Sequence, residues 1–184
     1  MTGTTGSAQQ PAPSLPAAPS GVEKLWALHA SATYDAARRV AGNGSDAEDV
    51  VQTVFLRLAR RPPAELATLG RGYFHRAAVH AALDILRSRQ RAGWVPLDAV
   101  EESPAAGSPA EDLRRTRLRR ALRLALARLA PRSAEIVALR FFEGLSNPEI
   151  AQLLGVSTPL VAVLLHRSRA RLRRELSTLV GDLS

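Results

Sequence analysis

The stretch that most restricts how this chain folds is "SNPEIAQLLGVSTPLVAVLLHRSRARL", Ser146 to Leu172. Ser146 and Glu149 have the spacing of a reciprocal helix cap, and Pro148 falls in the first turn. Ile150 and Leu154 share a core-facing side. Ala151 is small, as a residue must be where two helices cross closely. Gly155 permits a tight turn, Val156 plugs it, and Ser157 caps the helix that follows. The pattern predicts a helix-turn-helix, whose second helix enters the major groove of DNA. An αα-hairpin with no DNA role is the alternative. The basic run Arg167, Arg169, Arg171, Arg173 and Arg174 favours DNA.

The rest of the chain also reads as helical. Of its 184 residues 46% are hydrophobic but only 4% aromatic, so the cores must be built from Leu, Ala and Val. Leu, Ala and Arg are strong helix formers. Residues 22–41 place Leu25, Leu28, Ala32, Ala36 and Val40 on one side. "GNG" at 42–44 stops that helix, and Ser45 or Asp46 is expected to cap the next. In "DAEDVVQTVFLRLAR", Val51, Val54, Phe55 and Leu58 recur at helical spacing, and "RPP" at 61–63 ends the run. A further helix from about Gly72 to Arg91 turns Phe74, Ala78, Ala81, Leu83 and Leu86 inward. Later, Leu118, Leu122, Ala125 and Leu129 form a stripe, Pro131 restarts the chain, and Gly144 suits a left-handed helix end.

The expected architecture is all-α: two small helical domains joined by a flexible linker, the C-terminal one containing the helix-turn-helix. The expected boundaries are a disordered Gly/Pro/Ser/Thr-rich tail at 1–20, a first domain at 21–91 and a linker at 92–110. The second domain follows at 111–178, with a short tail at 179–184. Fully extended, the linker spans roughly 65 Å, close to the ~70 Å of two DNA turns.

Charge is unevenly divided. Residues 1–112 hold 11 Lys/Arg against 12 Asp/Glu, a net −1. Residues 113–184 hold 14 Arg against 5 Asp/Glu, a net +9. So basic a C-terminal part points to nucleic acid. The absence of cysteine excludes disulfides and thiolate sites from this chain. His29, His75, His80 and His166 lack ligand spacing, so no metal or other cofactor is expected. There is no nucleophile–base pair, phosphate-cradling glycine loop or carboxylate constellation, so the chain does not read as an enzyme. Without an apolar run of about 18 residues or a secretory leader, it reads as cytoplasmic, with no membrane partner.

Three collinear stretches resemble the bacterial extracytoplasmic-function (ECF) sigma factors, group 4 of the sigma-70 family. "LARLAPRSAEIVALRFFEGLSNPEIAQLLGVSTPLVAVLLHRSRARLRREL" resembles the domain that binds the promoter −35 element. "DAEDVVQTVFLRLAR" looks like the polymerase-binding helix, and "YFHRAAVHAALDILRSRQR" like the −10-reading helix. "PLD" at 96–98 is similar to the start of the family's linker. The match covers about residues 23–177. It implies core RNA polymerase, contacted through its β′ clamp helices and β flap, and promoter DNA as partners. An anti-sigma factor or other protein regulator is expected as well.

The resemblance also implies sites. Asp49, Gln52 and Phe55 correspond to a pattern that docks on the β′ clamp helices. Asp49 and Gln52 share a helix face, whereas Phe55 also suits core packing. Arg76, His80, Asp84 and Arg87 align with the −10-binding surface, with His80 where relatives commonly carry asparagine. A weak His80–Asp84 surface pair is the alternative reading. Tyr73, Phe74 and Trp94 are the candidates for stacking on unpaired bases. For the −35 element the aligned positions are Ser157, Thr158, Leu160, Ala162, Val163, Leu164, Arg167, Arg169 and Arg171.

This last set poses a problem. Relatives commonly hold Lys, Ser and Arg where this chain has Ala162, Val163 and Leu164. Hydrocarbon cannot make the hydrogen bonds of direct readout, although it can touch thymine methyls. Arg167, Arg169 and Arg171 need only phosphates. With Val161, Leu165, Ser168 and Leu172 facing inward, three explanations stand open. The helix binds DNA through methyl contacts and DNA shape. A protein covers it: an anti-sigma factor, an activator or the chain's own tail. Or the helix is rotated and Leu164 belongs to the core. The functional expectation is an ECF-type sigma factor that binds core polymerase and directs promoter-specific initiation. The alternative is a sigma-like DNA-binding regulator acting through a partner on its apolar recognition helix.

Overall fold

A computed structural model describes residues 21–92 and 109–181. Every regular element among them is a helix: α1 (Gly21–Ala41), α2 (Gly44–Ala59), α3 (Pro63–Leu66), α4 (Arg71–Arg91), α5 (Pro109–Ala127), α6 (Pro131–Phe141), α7 (Asn147–Leu154) and α8 (Thr158–Gly181). The expected tail at 1–20, nearly all of the expected linker and Trp94 lie outside the described residues. The helix α5 begins at Pro109, and α8 runs on to Gly181.

In the N-terminal half, α1, α2 and α4 pack together around Val40, Val50, Leu58, Phe74, Val79 and Leu83. The α1–α2 turn is made at Gly42, whose φ of 94° favours glycine. Neither Ser45 nor Asp46 caps α2. Asn43 does, its Oδ1 accepting the Asp46 N–H at 2.8 Å. Asp46 is buried instead, its carboxylate held by the Asn43 amide and the Arg89 guanidinium from the end of α4.

Leu28, expected inside, is 73% exposed. The inward side of α1 runs through Leu25, Thr33, Ala36, Ala37 and Val40, which turns Leu28 outward. Thr33 tolerates burial because its hydroxyl donates to the His29 carbonyl at 2.7 Å. Leu118 is likewise exposed. No residue between Ala110 and Arg120 is buried, so the first turns of α5 extend beyond the core.

In the C-terminal half, α5, α6 and α7 each pack on α8. Ser146 and Glu149 form the reciprocal cap of α7. Gly155 adopts φ 64° and ψ 42° at its end. The helices α7 and α8 then meet at a bend of 110°, within the range of a helix-turn-helix. The two helical halves also touch each other. The helix α4 packs against α5, α6 and α7, and the buried side chains of both halves form one cluster. No single helix among the described residues is long and apolar enough to cross a membrane.

Candidate polymerase and nucleic-acid interfaces

On α2 the apolar stripe Val51, Val54, Phe55 and Leu58 is buried. That leaves Asp49 and Gln52 exposed on the opposite side. Leu56 falls on the same outward side and is 62% exposed. Sequence reasoning missed Leu56, although its position off the stripe was the available signal. Phe55 is not part of this surface. It is 4% exposed, with its ring 4.7 Å from Trp26 and 5.7 Å from Phe74. Phe74 is buried too and stacks on His29 at 4.2 Å, so it cannot reach an unpaired base. Tyr73 is half-buried.

The four residues aligned along α4 do not form one free surface. His80 and Asp84 are exposed and lie 3.4 Å apart. Arg87 donates to Asp84 at 3.4 Å, and its Nη2 is buried without a hydrogen-bond partner. Arg76 donates across to Glu135 of α6 at 3.0 Å, while Arg132 reaches the same carboxylate at 3.4 Å.

Arg76 belongs to a wider clasp between the halves. Arg39 at the end of α1 donates from Nε and Nη2 to Glu143 at 3.0 and 2.8 Å. His75 Nδ1 lies 2.6 Å from the same carboxylate, whose side chain is 1% exposed. Arg71 donates to His75 Nε2 at 3.0 Å. An arginine has only donors, so Nε2 accepts and Nδ1 carries the proton given to Glu143. Burial pushes the Glu143 carboxyl up, but the hydrogen bonds from His75 and Arg39 and the charge of Arg39 outweigh it and hold it below its ordinary value. The clasp is tight in two further places. A Cβ on Gly42 would fall 1.8 Å from the Arg123 guanidinium carbon, and one on Gly72 would meet Leu153 at 3.0 Å.

The helix α8 is arranged differently. Val161, Leu165, Ser168 and Leu172 are all buried and form its inward stripe. Ser157 Oγ accepts the Leu160 N–H at 3.4 Å, which supports the first turn. Ser157, Thr158, Leu160, Ala162 and Val163 are exposed, Leu160 at 43% and Val163 at 45%. Leu164 is half-buried and packs on the core. The inward stripe is the expected one, so the helix is not rotated, and Leu164 lies half-buried at its margin while Leu160, Ala162 and Val163 stay exposed. Arg167, Arg169 and Arg171 are exposed. Arg169 lies over the Phe141 ring at 5.2 Å, and Arg171 Nε is 3.9 Å from Glu175. Arg167 has no carboxylate partner among the described residues. No group of three or more His, Asp or Glu among those residues is placed to hold a metal ion.

Two family descriptions match the two halves: Sigma-70 region 2 over residues 25–92, and Sigma-70, region 4 over residues 119–172. The RNA polymerase sigma-E factor of Streptomyces coelicolor is 33% identical over 141 residues, covering 76% of this chain and 77% of the relative. The chain belongs to the ECF RNA polymerase sigma factors. The ECF RNA polymerase sigma factor SigE of Mycolicibacterium smegmatis is 34% identical over 174 residues, 92% of this sigma factor but 66% of the relative's length. RNA polymerase sigma factor CarQ of Myxococcus xanthus is 33% identical over 162 residues, covering 88% and 90%. Membership makes this sigma factor a transcription-initiation protein whose partner classes are RNA polymerase and promoter DNA. Helix α7 and helix α8 as far as Leu172 lie within the region 4 match, and α1 to α4 nearly fill the region 2 match.

Proposed function

We propose that this sigma factor docks on the β′ clamp helices of core polymerase through Asp49, Gln52 and Leu56. It then carries the enzyme to a promoter, with α4 at the −10 element and α8 at the −35 element. The observation that supports this most directly is the simultaneous exposure of the outward sides of α2 and α8, each backed by a fully buried stripe. The clasp adds a requirement. Arg76 is paired with Glu135, so α4 presents that guanidinium to DNA only after the halves separate.

Run-off transcription with purified core polymerase tests the reading. Specific transcripts from polymerase and this chain alone are expected. Asp49→Ala combined with Gln52→Ala should weaken polymerase binding at least tenfold while leaving the thermal unfolding curve unchanged, since both side chains are exposed. Unchanged binding would refute the docking face.

A second reading is a protein regulator, such as an anti-sigma factor, seated on the hydrocarbon tip of α8. Exposed Leu160 and Val163 favour it. Transcripts that appear only when a partner is added would support it.

A further inference from the structure

We propose that Leu160, Ala162 and Val163 read the 5-methyl groups of thymines in the major groove. These three positions would then recognise thymines by their methyls rather than by hydrogen bonds to base edges. The inference rests on the reading of α8 as the −35 helix.

From Pro159 to Leu165 no side chain carries a donor or an acceptor. Among these residues Val161 and Leu165 are buried and Leu164 packs on the core. The outward surface of this turn is therefore hydrocarbon. In the major groove, amino, carbonyl and ring-nitrogen groups line every base pair, and the one apolar group of the four natural bases is the thymine methyl.

Val163, Arg167 and Arg174 stand at i, i+4 and i+11, along the side of α8 opposite the buried stripe, and all are exposed. Leu160 flanks this line. From Val163 to Arg174 is about 16 Å along the axis, somewhat more than the ~12 Å groove width. Hydrocarbon at the groove floor thus leads straight into cations placed for the phosphate backbone.

Size argues against a protein as the main occupant. A stable protein interface takes about 20–30 residues a side, whereas the exposed apolar tip is three side chains. Its rim is also cationic, which suits a polyanion. The clasp leaves the tip open, since the packing of α4 is against α5, α6 and α7.

The test uses holoenzyme formed from core polymerase and the full chain. Duplexes selected from a randomised −35 library should be enriched in thymine at two or more positions. Replacing each selected thymine by uracil removes only the methyl. Binding should weaken about fourfold per contacted methyl, the ratio that corresponds to ~0.8 kcal/mol for one buried hydrocarbon group. Val163→Ser should erase the thymine-over-uracil preference at one position, with folding checked by circular dichroism. Equal binding of thymine and uracil duplexes would overturn the inference and favour a protein on the tip. A holoenzyme that neither selects duplexes nor makes transcripts would instead sink the proposed function itself.

Discussion

The helices α4 and α8 are both long, 21 and 24 residues, and both bear arginines outside an apolar stripe. They use that charge in opposite ways. On α4 three of the five arginines are answered by carboxylates within the protein, Arg76 by Glu135, Arg87 by Asp84 and Arg89 by Asp46, and His75 meets Glu143. On α8, Arg167, Arg173 and Arg174 have no carboxylate partner among the described residues. An unanswered cation on a helix surface is available to phosphate. A cation paired with a buried carboxylate is a joint between helices. Arginine content alone does not separate the two, but the pairing does.

The largest effect expected from breaking the contrast lies inside α8. Leu165→Ala should cost about 2–5 kcal/mol of unfolding free energy in urea titration, because it empties a buried position. Val163→Ala, two residues away and exposed, should stay within ~0.5 kcal/mol. Equal costs would mean that the buried and exposed sides of α8 are not distinct.

Removing the free cations should affect DNA rather than folding. Arg167→Ala with Arg174→Ala should reduce the slope of log affinity against log salt by about 1 for each phosphate no longer neutralised, close to 2 for the pair. Fluorescence anisotropy on a promoter duplex from about 50 to 200 mM salt measures it. An unchanged slope would mean that these arginines do not meet phosphate.

The clasp offers a pH test. The Glu143 carboxyl is held below its ordinary 4.5 when the halves are together. Its contribution is therefore complete above about pH 4.5 and is lost as the pH falls through the lowered value. Dyes placed at Ser31 and Ser177, both exposed, should report separation of the halves only in that acidic range. Glu143→Gln should shift the dye distances outward already at neutral pH. A distance unmoved by the substitution would mean that Glu143 does not hold the halves together.

The smallest effect is expected at His80. Its contact with Asp84 is 3.4 Å with both side chains more than half exposed, so His80→Ala should change stability by less than ~0.5 kcal/mol.

Local chemistry explains what is legible in the sequence. Glycine at 42, 144 and 155, proline at 63 and 131 and the Ser146–Glu149 cap punctuate the helices through interactions a few residues long. The inward stripes of α2, α4 and α8 follow from helical spacing alone. The failures arise where a distant residue decides the outcome. Asp46 reads as a cap until Arg89, 43 residues later, takes its carboxylate. Arg76 reads as part of a DNA surface until Glu135, 59 residues away, claims it. Nothing local to His75 announces the Glu143 carboxylate 68 residues on. Leu28 and Leu118 fit a stripe in sequence, but which flank of a stripe is covered depends on the neighbouring helices. At the proposed polymerase face, Asp49 and Gln52 come from the family resemblance, to which spacing adds only that they share a helix side, and Phe55 sits where its own apolar run puts it. Leu56 escapes notice because leucine is expected inside.

One more property follows from α8 being a single unbroken rod, about 36 Å long at 1.5 Å per residue. The hydrocarbon turn proposed to meet the bases, the arginines that flank it and the leucines that anchor it to the bundle share one screw axis. Inserting a single residue between Val163 and Arg167 would swing everything beyond it by about 100°. The anchoring leucines would have to drag the arginines back into line or leave the bundle. In this molecule the phase of the outward side of α8 is locked to the phase of its core packing, so neither can drift without the other.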